Sequence, residues 1–419
     1  MYDFDKVVDR RGTSSIKWNF QNSFGQQSGL LPYWIADTDF ATAPEVVQAL
    51  QKRCDHPVIG YSKPLPGVYT AIQGWWDRRH GWKPETDWML LSYGVVTGIY
   101  FTLDTVVPKG EKVLTFTPVY DPFFAAIKNS GHTLVDCPLD HKDNYYTINW
   151  ELLEKELADG VKAVVFCNPH NPIGRVWTEE EMEKLVELCV KYNVYLLSDE
   201  IHCDFGFTRP CTTAGKFPQI YDKLVVYTAI SKTFNMAGLG SSCMIIPNAE
   251  LKQKIKDAYD SRWMFGPSDL AFTAMEAAYT YGDQWVDEQC EYLKDSAEIV
   301  RKFVEEKMPK VKVTTHEGTF LMWLDMTCFG KTSDELTEIF AKEYGLAIGN
   351  GAHYGKQADG YMRLNIGCAR GILQKGLDQM AKMYADYINK QGFILLAAGL
   401  LPGLFETAAP HTHKRRKIL

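Results

Sequence analysis

The chain has 419 residues, with 45 Lys and Arg against 52 Asp and Glu, a formal net charge of −7, 46% apolar and 23% charged residues. This is the balance of a cored globular protein long enough for two or three domains. An acidic chain without a basic stripe excludes nucleic acid as the main partner, the short run Lys414 to Lys417 being the one exception. The opening MYDFDKVVDRRG lacks the apolar segment of a secretory signal, so a cytoplasmic protein is expected. The ten cysteines are scattered without a CxxC pair, and we expect reduced, packing thiols and no metal. The apolar stretch 393–401 is far short of the ~18 residues that span a bilayer, so no membrane partner is expected.

In chain order, the runs KVLTF (112–116), TLVDC (133–137), KAVVFC (162–167), VYLLS (194–198), LVVYT (224–228) and CMII (243–246) read as buried strands. They alternate with helical periods, the pattern of parallel βαβ units in an α/β fold. Thr178-Glu-Glu-Glu181 has capping-box spacing, and Met182, Leu185, Val186 and Cys189 follow at helical spacing. After about residue 285 come a charged helix (285–308), strands near 311–315 and 320–326, and a helix capped at Thr332. These describe a smaller α+β part. The expected division is a large domain over 41–287, a smaller discontinuous domain over 1–40 and 288–390, and a disordered or vector-derived tail over 391–419. No repeat or low-complexity linker separates the parts, so they should pack around a cleft, the default place for a ligand.

Strands of a doubly wound sheet present their carboxyl ends to the ligand crevice. After KAVVFC comes Asn168-Pro-His-Asn-Pro-Ile-Gly-Arg175, after VYLLS comes Asp199-Glu-Ile-His202, and after LVVYT comes Ala229-Ile-Ser-Lys-Thr-Phe-Asn235. Singly, Lys232 reads as a solvated turn residue, Asp199 as a cap and Asn171 as a turn former. Jointly they supply an amine to attack a carbonyl, a carboxylate to keep a ring nitrogen protonated and an amide for a phenolic oxygen. That set is what pyridoxal 5'-phosphate (PLP) requires.

Here the sequence resembles the fold-type I PLP-dependent transferases of aminotransferase class I/II, and within them the MalY/PatB family of cystathionine β-lyases, or C–S lyases. The segments that carry the resemblance are DFDKVVDRRGTSSIKWN, LPYWIADTDF, GYS (60–62), YGVVTGI (93–99), PVYDPFF (118–124), NPHNPIGR (168–175), SDEIHCD (198–204) and SKTFNMAGL (231–239), within residues 2–389. The resemblance implies a large domain with a mainly parallel seven-stranded sheet between helices, plus a smaller α+β domain. Lys232 then corresponds to the Schiff-base lysine that also moves the substrate's α-proton. Asp199 corresponds to the partner of the pyridinium nitrogen, Asn171 to that of the phenolic oxygen, and Tyr120 to the ring that stacks on the cofactor. Gly94, Val95 and Val96 open a helix whose N–H groups suit a phosphate, with Ser231 and Thr228 as further donors.

Tyr61 resembles the tyrosine that reaches the phosphate from the other subunit, which implies a homodimer. Arg363 resembles the arginine that clamps the substrate carboxylate, and His202 stands where many aminotransferases have tyrosine. Two departures matter. Gly240 replaces an arginine usual in aminotransferases, and Tyr33 and Thr38 stand where the lyase family has methionine, which bears on side-chain preference. Trp18, Tyr33, Trp34, Trp75 and Trp76 are assigned no catalytic role, since such aromatics more often pack cores. The expected activity is β-elimination from S-substituted L-cysteines, small-molecule substrates, to a thiol, pyruvate and ammonia. An aminotransferase shares every residue named and is the alternative; a PLP-binding regulatory protein ranks last, for want of a DNA-binding extension.

Overall fold

The run Ala163–Cys167, Ala-Val-Val-Phe-Cys, offers no polar position to water, so as a strand it needs cover on both faces. All five residues are buried. The computed structural model describes residues 1–19 and 29–389; the expected tail at 391–419 lies outside them. Strands are numbered in chain order. The large sheet contains β2 (Met89–Ser92), β3 (Lys112–Thr117), β4 (Thr133–Pro138), β7 (Ala163–Cys167), β8 (Tyr195–Asp199), β9 (Leu224–Thr228) and β10 (Ser242–Ile245), in spatial order β2-β10-β9-β8-β7-β3-β4.

Strands β4, β3, β7, β8 and β9 pair in parallel, whereas β10 runs antiparallel to both of its neighbours. The expectation that CMII continues the parallel series is therefore corrected. The link from Thr228 to Ser242 holds only the short helices Ile230–Thr233 and Ala237–Leu239. A parallel return needs a longer crossover, so the chain turns back on itself at the strand end. The capping box at Thr178 forms in both directions, Glu181 N donating to Thr178 Oγ1 at 3.1 Å and Thr178 N to Glu181 Oε2 at 2.9 Å, and starts the helix Glu179–Lys191.

The second sheet is ordered β1-β13-β14-β12-β11, with β1 (Leu31–Tyr33), β11 (Lys312–Val313), β12 (Leu321–Asp325), β13 (Leu346–Asn350) and β14 (Tyr361–Asn365). Strand β1 joins it in parallel with β13, and its remaining pairs are antiparallel. The strand expected over 311–315 shortens to two residues, and Arg363 lies inside β14 rather than after it. The helix expected over 285–308 runs Asp283–Lys307, and a second capping box starts Ser333–Tyr344. A hairpin of β5 (Asp140–Lys142) and β6 (Tyr145–Thr147) completes the strands.

A buried ionic clasp ties the two sheets. Arg175, 1% exposed, donates Nε to Glu317 Oε2 at 2.8 Å and Nη2 to Glu181 Oε2 at 2.7 Å, and Arg209 Nη2 meets Glu317 Oε1 at 2.8 Å. Beside it Gly174 has φ +73°, and a Cβ there would lie 2.6 Å from His316 Cδ2. Glycine is the residue that allows both the left-handed backbone and the close approach.

Candidate active site

The register pairs Cys167 with Asp199 and Asp199 with Tyr227, so β7, β8 and β9 end nearly level. Residues that follow these ends meet at one edge. They wall a cavity of about 200 Å³ that includes Asn171, Asp199, His202, Ser231 and Lys232, with Tyr120 and the helix start at Gly94, Val95 and Val96 on its other sides. The helix Val95–Val106 has no side-chain cap at Gly94, which leaves its first N–H groups to a ligand. A second cavity of about 1020 Å³ shares Ala36, Tyr120, Lys232 and Ala237 with the first and reaches Arg363.

Lys232 Nζ donates to the Ala36 carbonyl at 2.6 Å. Burial, with Arg363 nearby, lowers its pKa to about 8, while Asp37 and Asp199 oppose the shift. Burial also raises the Asp199 carboxyl to about 7, against the Ile201 N–H that donates to its Oδ1 and the charge of Lys232. The two groups move toward each other in pKa, as expected where acid–base chemistry is set up. His202 is held well below the usual histidine range, first by burial and then by Lys232 and Arg363. Its ring packs edge-on to Phe320 and its Nδ1 has no hydrogen-bond partner among the described residues. The phenol of Tyr120 is pushed up to about 12 by burial and by Asp121.

Arg363, 5% exposed, donates Nη1 to Asn171 Oδ1 at 3.0 Å and Nη2 to the Trp34 carbonyl at 2.6 Å, and lies 5.0 Å from the Tyr354 ring centre. Its buried Nε has no partner among the described residues. Nine of the twelve expected site residues thus line the first cavity, and Arg363 lines the adjoining one. Tyr61 lies on neither wall; it is fully exposed between the helices Pro44–Cys54 and Pro66–His80. Thr228 is buried and off the wall.

Sequence reasoning missed Ser241, 4% exposed, which lines the cavity with its Oγ unpartnered. Its signal was the small pair Ser241-Ser242 after Gly240. It also missed the Ala36 carbonyl, which no side-chain motif marks. Gly240 has φ +57°, a left-handed backbone that strains an arginine, so the departure from the aminotransferase pattern is built into the chain path. His80, Cys203 and Asp204 bring ligand-type atoms within 4.8 Å of one another, a grouping that sequence spacing did not show. Asp204 already accepts from Trp75 Nε1 and Thr233 Oγ1, and the Arg79 guanidinium lies 3.6 Å away. A positive neighbour and occupied oxygens make this a poor cation site.

The sheet order and the placement of amine, acid and amide define a fold-type I PLP-dependent transferase fold. A model of the family aminotransferase class I and II matches residues 35–379, and the chain belongs to that family. Cystathionine beta-lyase PatB of Bacillus subtilis (strain 168) is 36% identical over 378 residues, 90% of this chain and 98% of the relative. Cystalysin from Treponema denticola, whose structure contains PLP, superposes with a TM-score of 0.88 at 32% identity, over 92% of this chain and 99% of that one. The PLP-bound C–S lyase from Staphylococcus hominis gives 0.85 and 30%, over 91% and 98%.

Proposed function

We propose that this protein is a PLP-dependent carbon–sulfur β-lyase that cleaves S-substituted L-cysteines, cystathionine among them, to a thiol, pyruvate and ammonia. The observation that carries this reading is the level strand ends that bring Asn171, Asp199 and Lys232 to one cavity under a helix start. The residues fit the cofactor. Two buried polar atoms in the cavity residues, His202 Nδ1 and Ser241 Oγ, lack partners among the described residues. A Cβ at Gly94 would meet nothing closer than Thr97 Oγ1 at 3.9 Å, so packing alone does not demand glycine where the phosphate is placed.

Bound PLP supplies an electron sink for the charge left when the substrate's Cα–H bond breaks. Lys232 would hold the cofactor and would carry the substrate's α-proton; an amine near 8 has the neutral fraction this needs. Asp199, ionised by pairing with the ring nitrogen, keeps that nitrogen protonated. Asn171 has its Oδ1 committed to Arg363, which leaves Nδ2 to the phenolic oxygen. Arg363 binds the α-carboxylate, with Nε as its open donor. Val95, Val96, Ser231 and Ser241 bind phosphate, Tyr120 covers the ring, and neutral His202 shields Asp199 from water.

The same reading includes a homodimer in which the partner subunit's Tyr61 reaches the phosphate. The full exposure of Tyr61, with the apolar Val58, Ile59 and Leu65 beside it about two-thirds exposed, supports this. It also includes the division into 41–287 against 1–40 with 288–390, and a cytoplasmic place. No helix among the described residues is long and apolar enough to cross a membrane. The aminotransferase reading uses the same residues and differs in the fate of the proton; the lyase relatives at 36% and 30% identity favour elimination. PLP-loaded protein given L-cystathionine without an oxo acid should release thiol and pyruvate equally and continuously. A single turnover without thiol, restored by an oxo acid, rejects the proposal in favour of transamination.

A further inference from the structure

Residues 34–40 pass from β1 toward the large sheet, and side chains from other segments hold their main-chain carbonyls. Asn365 Nδ2 donates to the carbonyls of Ile35 and Asp37 at 2.6 and 2.7 Å. Asn235 Nδ2 donates to those of Thr38 and Phe40 at 2.8 and 3.0 Å, and its Oδ1 accepts the Thr38 N–H at 3.1 Å. Lys232 holds the Ala36 carbonyl and Arg363 that of Trp34. The amine and the guanidinium therefore hang from one strap, two residues apart. Below it, Lys17 Nζ and Trp18 Nε1 each donate to the Asp39 carboxylate at 2.8 Å.

We propose that Asn235 is a positioning residue that sets the distance between Lys232 and Arg363 by fixing this strap. The inference rests on the roles given to those two residues under the proposed function. Asn235 follows Lys232 by three residues, so it pins the strap to the turn that carries the amine. Its φ of +56° is a left-handed backbone that asparagine tolerates and most residues do not. Sequence position and backbone together leave its amide aimed at three main-chain groups of one segment. Misplacement of reacting groups by about 1 Å lowers rates by about 10²-fold, so a strap held at Asn235 has kinetic weight without touching substrate.

Asn235→Gly keeps the left-handed backbone and removes all three bonds. The expected result is folded protein whose kcat on L-cystathionine falls about 10²-fold, with cofactor affinity changed far less. A second readout needs no cofactor. Reductive methylation of Lys232 by formaldehyde and borohydride, quantified by mass spectrometry on cofactor-free protein, should rise about fivefold as the Ala36 carbonyl loosens its hold. A variant that is merely less stable, with kcat, KM and Lys232 labelling unchanged, overturns the proposal. Where Asn235→Gly does not fold, Asn235→Asp, which keeps the shape and faces an oxygen to two carbonyls, replaces it: increased Lys232 labelling supports the strap and unchanged labelling overturns it. Failure of the unaltered enzyme to release thiol counts against the β-lyase reading alone, because the labelling comparison decides the strap without it.

Discussion

Lys232 carries the proposed chemistry, and its lowered pKa gives the site a pH signature. Only the neutral amine attacks the cofactor aldehyde, so its abundance grows as pH rises through about 8. Uptake of PLP by cofactor-free protein, followed by absorbance, should quicken from about pH 6.5 to about 8.5 and then level off, and Lys232→Ala should abolish both the slope and thiol release. Asp199 and Glu200, each raised to about 7 by burial, keep protons in the folded protein that an unfolded chain gives up near pH 4. Raised acid pKa values mean that stability falls as pH climbs from about 4 to about 7. Urea unfolding of cofactor-free protein at about pH 5 and about pH 7.5 should show this loss, and Asp199→Asn should remove its share. Asn171, Asp199 and Lys232 were legible in sequence because strand-end Asn, Asp and Lys make an unusual set; Glu200 was not singled out. Ser241 and the Ala36 carbonyl were not, since a lone serine has many uses and a carbonyl belongs to every residue.

At the scale of elements, what was legible followed from local chemistry and what was not depended on distant partners. The two capping boxes and the β-branched runs announce helices and strands from within a few residues. The direction of β10 and the location of Arg363 inside β14 depend on which strands lie alongside, and periodicity does not encode that. The Arg175 and Glu317 clasp is likewise invisible in sequence, because 142 positions separate the partners. Glu317→Ala leaves buried Arg175 with Glu181 as its remaining carboxylate and its Nε bare, a loss expected at or below the about 3–5 kcal/mol of a fully broken buried pair. Denaturant titration should register that loss together with weaker Asn171-dependent cofactor binding, since Arg175 closes the loop on which Asn171 sits.

At the scale of the molecule, the proposed sharing of Tyr61 between two copies would make activity depend on association. Light scattering should give twice the chain mass at working concentrations; a fully active monomer rejects the shared site. Tyr61→Phe removes one hydrogen bond to a charged group, expected to weaken PLP binding about tenfold or more. Co-expressed with Lys232→Ala, it should restore part of the activity, because one of the two sites in a mixed pair then keeps both residues.

The strap that joins Trp34 to Arg363 also links two segments made 329 residues apart in synthesis. A ribosome adding about 5–20 residues per second needs on the order of tens of seconds to travel between those positions. During that interval β1 has no β13 to pair with, and the segment whose carbonyl receives Lys232 is held at Asn235 but not yet at Asn365 or Arg363. A nascent or prematurely terminated chain has all seven strands of the large sheet and the Asn235 end of the strap while it still lacks the Asn365 and Arg363 end. Under the proposed function, only chains translated through β14 hold the amine and the guanidinium on one strap, so a truncated chain lacks the carboxylate-binding half of the site.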